Sequence, residues 1–179
     1  MNFKKALAKR LENPAKETRE SSLLFAEKLI KGKIAETLIH QLFENSNYYV
    51  YRFGMEYTIP GIVDLRGKEK CKELAIISRT PDFVVRHKET NKVNFVEVKY
   101  CSSESFDILN FKEKHPPLET LVVVVSAKHI KCISLAELLK GQRITPTCKS
   151  YLGDRSEFVL SNELIKEYCQ LAYKFYGNL

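Results

Sequence analysis

Pro81-Asp82-Phe83-Val84-Val85-Arg86-His87-Lys88-Glu89-Thr90-Asn91-Lys92-Val93-Asn94-Phe95-Val96-Glu97-Val98-Lys99-Tyr100 is the stretch on which the fold turns. Two runs rich in β-branched and aromatic side chains, 82–86 and 93–100, flank six polar residues, the pattern of two strands joined by a hairpin connection. Antiparallel pairing is the expectation. Because strand side chains alternate, Glu97 and Lys99 share one face while Val96, Val98 and Tyr100 take the other, toward a covering helix. Pairing of the two strands brings Asp82 beside Glu97, where two carboxylates could share one metal ion.

Upstream, Leu23, Leu24, Leu29, Ile30, Ile34, Leu38, Leu42 and Phe43 recur at helical spacing across residues 17–44, with Gly32 as a place to bend or interrupt the helix. Residues 3–11 predict a short basic amphipathic helix that stops at Asn13-Pro14. Residues 48–59 predict a strand ended by Pro60-Gly61, followed by a polar, basic loop over 64–73. Downstream, a helix is expected over 104–114, before Pro116-Pro117. The β-branched run 120–126 predicts a strand covered on both faces.

Residues 134–139 suggest a helical turn or two, 141–153 a turn-rich connection and 157–160 a short strand. Ser161 is the N-cap of a last helix with Leu164, Ile165, Tyr168, Leu171, Ala172 and Phe175 on one face. The fold class is therefore α/β: a central mixed four-stranded sheet flanked by helices, in the order αβββαβ, with extra N- and C-terminal helices. One domain over 1–179 is expected, with a core over about 17–139 and a helical extension over about 140–179.

The chain has 179 residues, 44% hydrophobic and 28% charged, enough for one sizeable core and incompatible with disorder, collagen or coiled coil. Lys and Arg number 29 against 22 Asp and Glu, a net charge of +7 that favours an anionic partner, nucleic acid before membrane. Nearly all the excess lies in residues 1–100, with 19 basic and 13 acidic side chains. The five cysteines form no CxxC pair, so neither a disulfide framework nor a structural zinc is indicated. The longest apolar run, Leu121 to Val125, is too short to cross a bilayer, and residues 1–5 lead into no hydrophobic leader. The expectation is a soluble, cytoplasmic protein with no membrane partner.

Phosphodiester hydrolysis needs acidic oxygens to hold a hard divalent cation, and a cationic side chain to orient water and offset growing charge. Asp82, Glu97 and Lys99 are such a set. An acid-x-Lys triplet alone carries no information, since about 2.6 are expected by chance in a chain of this composition, whereas Pro-Asp is expected only about 0.1 times. Here the one Pro-Asp is followed, on the very next apolar strand, by the one acid-x-Lys triplet.

Pro81-Asp82 followed by Glu97-Val98-Lys99 resembles the signature of the PD-(D/E)xK phosphodiesterase superfamily, which includes type II restriction endonucleases and archaeal-type Holliday-junction resolvases. Gly32-Lys33-Ile34-Ala35-Glu36 and Tyr49-Val50-Tyr51-Arg52-Phe53-Gly54-Met55-Glu56 are similar to the helix glutamate and first strand of its smaller nucleases. The likeness covers residues 23–126 and implies a restriction-endonuclease-like core. It implies that Asp82, Glu97 and the backbone carbonyl of Val98 bind Mg²⁺ or Mn²⁺, that Lys99 positions the attacking water, and that Glu36 supports the metal directly or through water. Cleavage would leave a 5′-phosphate and a 3′-hydroxyl.

His40 follows Glu36 by one helical turn. A helix histidine ligates metal in viral cap-snatching endonucleases of this fold, but a structural role is the favoured reading of His40. Arg66, Lys68, Lys70 and Lys72 are candidates for tracking a phosphate backbone, with Lys128 after the last core strand and Lys112 and Lys114 behind them. Tyr48, Tyr49 and Tyr51 could stack on bases. The expected function is a Mg²⁺-dependent endonuclease acting on DNA; the alternatives are an RNA endonuclease and a non-catalytic nucleic-acid-binding module. Nothing beyond residue 130 resembles a recognition domain, so target choice falls to a homodimer, a partner or the shape of the nucleic acid.

Overall fold

The computed structural model describes residues 14–53, 79–111, 115–117 and 119–177, with side chains from residue 20. The chain divides into two compact units, Met1–Ile34 and Ala35–Leu179. Helix α1 (Pro14–Asn45) runs through Gly32 without a break. In the first unit its apolar residues Leu23, Leu24, Phe25, Leu29 and Ile30 are exposed. From Ala35 onward the same periodicity is buried, with Leu38, Ile39, Leu42 and Phe43 at 0–4% exposure.

The second unit is built on a mixed sheet of five strands in sequence order: β1 (Tyr48–Arg52), β2 (Phe83–His87), β3 (Val93–Tyr100), β4 (Thr120–Val125) and β5 (Ile130–Ser134). Every pair is antiparallel except β3 and β4, which run parallel. The β2–β3 hairpin forms as its alternation predicts. Its turn puts Asn91 at φ 57°, a left-handed conformation that asparagine tolerates. All six residues of β4 are buried, as a continuous β-branched run requires.

One sheet face is covered by the second half of α1 and by α3 (Asn162–Tyr176), which starts at the Ser161 cap as expected. Phe43 packs edge-on against Tyr48, Tyr100 stacks on Tyr176 at 4.3 Å, and Asn45 donates to the Tyr168 hydroxyl. Each fully buried Leu, Ile or Phe of this layer contributes roughly 1.5–3 kcal/mol through removal from water. On the other face, Val122, Val124 and Ile133 pack with Phe106, Phe111, Ile144 and with Leu135 and Leu138 of α2 (Leu135–Leu139).

Several expectations fail. The sheet has a fifth strand, β5, in place of the four-stranded core. Its Lys131 broke the apolar pattern, yet that side chain is buried because its ammonium donates to the Thr145 and Pro146 carbonyls at 2.7 and 3.0 Å. The helix over 104–114 is absent among the described residues beyond a single 3₁₀ turn, Ile108–Phe111, because Phe106 forms an extended bridge with Ile144. Residues 157–160 form no strand. Within residues 140–179, Ile144, Leu152, Phe158, Ile165, Tyr168, Ala172 and Tyr176 are buried. The expected helix over 3–11, the loop over 64–73 and the end of the first strand lie outside the described residues.

Candidate active site

The site is made by the way β2 begins. Arg52 pairs with Phe83 and Phe83 with Val96, so one step further along the register sets Phe53, Asp82 and Glu97 side by side on three strands. Phe53 N–H donates to the Asp82 carbonyl at 2.9 Å. Pro81 ends the ladder, and the Asp82 carboxylate takes the Val98 N–H at 2.8 Å where a main-chain carbonyl would otherwise stand. A strand residue turns its N–H and C=O toward the same neighbour, so the Val98 carbonyl also faces the Asp82 end of β2.

Two residues along β3, the Lys99 ammonium sits 2.5 Å from Glu97 Oε1 and 5.7 Å from the Phe111 ring centre. Glu97 is 8% exposed. Desolvation, reinforced by the charge of Glu97 and more weakly by Glu36, pushes the Asp82 carboxyl up to about 7. Burial works against the Lys99 ammonium, but Glu97, Asp82 and Glu36 outweigh it and hold the proton more firmly than in an ordinary lysine. Glu36 approaches from α1, half-buried, with one carboxylate oxygen 3.9 Å from Arg52 Nη1. Asp82, Glu97, Lys99 and Glu36 thus form one electrostatic group.

The donor set was tested against the implied cation. Among the described residues no three His, Cys, Asp or Glu side chains converge as a metal cage. Asp82 and Glu97 are close enough to act on each other's charge, and each has one oxygen held, by Val98 N–H or Lys99, and the other without a hydrogen bond to a described residue. Mg²⁺ is commonly held by one or two carboxylates plus waters and substrate phosphate, so this set fits it. The proton affinity of Asp82 has the same origin, since like charges out of water favour any cation between them.

His40 has its contacts on and beside α1. Its Nδ1 lies 3.3 Å from Glu44, and its ring packs edge-on to Phe83. Lys128 is exposed on the β4–β5 loop, beside Ser126 and His129. Arg66, Lys68, Lys70, Lys72, Lys112 and Lys114 lie outside the described residues. Tyr48 is buried and donates its hydroxyl to no base platform: it accepts the Val159 N–H at 2.8 Å. Tyr49 and Tyr51 are exposed on the opposite sheet face, the one that carries Asp82 and Glu97.

Two residues escaped the sequence. Arg52, alternating onto the face of Phe83, neutralises part of Glu36. Glu104, buried at φ 55°, accepts from Ser126 Oγ at 3.2 Å and lies 3.2 Å from His129 Nδ1. No spacing signal announces either, because Glu36 comes from α1 and Ser126 and His129 from the β4–β5 loop, all distant in sequence. No helix among the described residues is long and apolar enough to cross a membrane. The chain matches no family model, no curated protein and no solved structure.

Proposed function

We propose that the protein is a metal-dependent nuclease, a phosphodiester hydrolase of the restriction-endonuclease-like kind, acting on DNA in preference to RNA. The observation that carries this reading is the opposition of Asp82 and Glu97 on paired strands with the Lys99 ammonium bonded to Glu97. When bound, Mg²⁺ or Mn²⁺ would neutralise phosphate charge and lower the pKa of a coordinated water. Asp82 and Glu97 are the residues to hold it, with the Val98 carbonyl, and Glu36 supports them. Lys99 keeps its proton, so it acts as a fixed positive charge that orients water and offsets charge growing on the phosphate, not as a general base.

The RNA reading rests on His40, whose Nδ1 is engaged by Glu44 at 3.3 Å, and RNA is therefore kept as an arm of the test. A non-catalytic module would use Lys99 only as the counter-charge of Glu97, and the cleavage assay separates that reading from this one. The test is incubation with labelled single-stranded, duplex and branched DNA, and with RNA, in Mn²⁺ or EDTA. Cleavage of DNA that needs Mn²⁺ and is lost in Lys99→Ala is expected; binding without cleavage by the wild type, or undiminished cutting by the variant, overturns the reading.

A further inference from the structure

On the sheet face that carries Asp82, the register sets out three rows across β1, β2 and β3: Phe53–Asp82–Glu97, Tyr51–Val84–Phe95 and Tyr49–Arg86–Val93. Same-face rows are about 7 Å apart. Tyr49, Tyr51 and Val93 are 46%, 50% and 52% exposed. Over the Tyr49 ring stand two cations, the Arg86 guanidinium 4.9 Å and the Lys88 ammonium 5.2 Å from its centre. Phe53 and Phe95 lie nearly parallel, 29° apart, next to the carboxylates. Among the described residues neither Arg86 nor Lys88 has an ion-pair partner, and the buried Arg86 Nε has no hydrogen bond.

We propose that this face is a platform for single-stranded nucleic acid, its bases stacked on Tyr49 and Tyr51 and its phosphates followed by Arg86 and Lys88, leading a strand into the Asp82–Glu97–Lys99 site. The inference rests on the nuclease reading of that site and names its substrate class. Exposed rings between cations match what a single strand offers, a π-face on every base and a charge on every link. A duplex keeps its base faces inside the stack and cannot use the rings. An apolar protein partner would leave Arg86 and Lys88 desolvated without counter-charge, whereas phosphates supply it. Continuity decides the direction: the rows run without interruption from Tyr49 to Asp82.

The test is fluorescence anisotropy of the full chain in EDTA, where no cutting occurs, with a labelled oligothymidylate and with a duplex of equal length. Tyr49→Ala and Tyr51→Ala should each weaken single-strand binding about tenfold, within the range of one lost stack. Tyr51→Phe should bind as the wild type, as should Tyr173→Ala, an exposed tyrosine on α3. Lys88→Ala should flatten the salt dependence. Unchanged single-strand affinity in both alanine variants, equal losses on duplex, or a change in oligomeric state in place of a change in affinity would each overturn the platform. Failure of the nuclease reading looks different: platform binding persists while Mn²⁺ elicits no cleavage.

Discussion

Asp82 and Glu97 stand opposite each other across the β2–β3 pair, and desolvation together with the charge of Glu97 raises the Asp82 carboxyl to about 7. In the unfolded chain that carboxyl titrates near 3.8. Between about pH 4 and 7 the native state therefore holds a proton that the unfolded state has lost. Native stability falls as pH rises through this window. Asp82→Asn keeps an oxygen to accept the Val98 N–H and removes the charge. In urea denaturation the metal-free variant should match or fall below the wild type at pH 5 and exceed it at pH 8, by on the order of 1 kcal/mol. A wild-type midpoint that does not decline from pH 5 to 8 would refute the charge conflict.

The same conflict predicts how a cation binds. Below pH 7 Mn²⁺ must displace the Asp82 proton, so its affinity should rise with pH and level off above about 7. Calorimetric titration in two buffers of different ionisation enthalpy reads the released proton directly. At pH 8, where little is left to displace, Mn²⁺ should raise the wild-type melting temperature and leave Asp82→Asn unmoved.

How much of this was legible follows from where each signal resides. β4 announced itself because Thr120 to Val125 is apolar on both faces, and the Asp82–Glu97 pairing because alternation and a short hairpin fix register locally. β5 was hidden by Lys131, whose burial depends on carbonyls at Thr145 and Pro146 that no local pattern reveals. The apolar periodicity of α1 is equally regular at Leu23 and at Leu38, yet only the latter is buried. On α3, Leu171 and Phe175 were expected inside and are exposed, while Tyr176, which stacks on Tyr100, takes the buried place. Spacing gives a helix its stripe but not the edges of the surface that covers it.

Lys99 is held by Glu97 at 2.5 Å and by the charges of Asp82 and Glu36. Lys99→Met keeps an unbranched side chain of similar length and deletes the charge. Cleavage should fall about 10²-fold or more, the usual scale for losing one preorganised charge stabiliser. Lys99→Arg should not rescue it, because a planar guanidinium places its donors differently from a compact ammonium. Full activity in Lys99→Arg would mean that only net charge matters at this position.

Glu36 lies 3.9 Å from Arg52 and acts by its charge on both Asp82 and Lys99, so the nuclease reading makes it a positioning residue. Glu36→Gln should weaken Mn²⁺ binding about tenfold, as loss of outer support does at other metal sites. Saturating Mn²⁺ should restore most of the cutting rate. If affinity is unchanged while the rate at saturation falls, Glu36 acts on the reacting groups themselves and not through the metal ligands.

Glu104 offers a test of the fold apart from the chemistry. Its backbone is in the left-handed region at φ 55°, a conformation costly for a side chain of this kind, and its carboxylate is buried between Ser126 Oγ and His129 Nδ1. Those two contacts tie the turn after β3 to the loop between β4 and β5. Glu104→Ala loses both while keeping the strained backbone, and should cost about 2 kcal/mol. Glu104→Gly loses the same contacts but relieves the strain, recovering up to about 1 kcal/mol of that loss. Urea midpoints should therefore rank wild type, then Gly, then Ala. An alanine variant as stable as the wild type would show that the Ser126–His129 loop holds its own shape through the Ser126 hydroxyl, which accepts the Lys128 and His129 N–H groups at 3.2 and 2.9 Å.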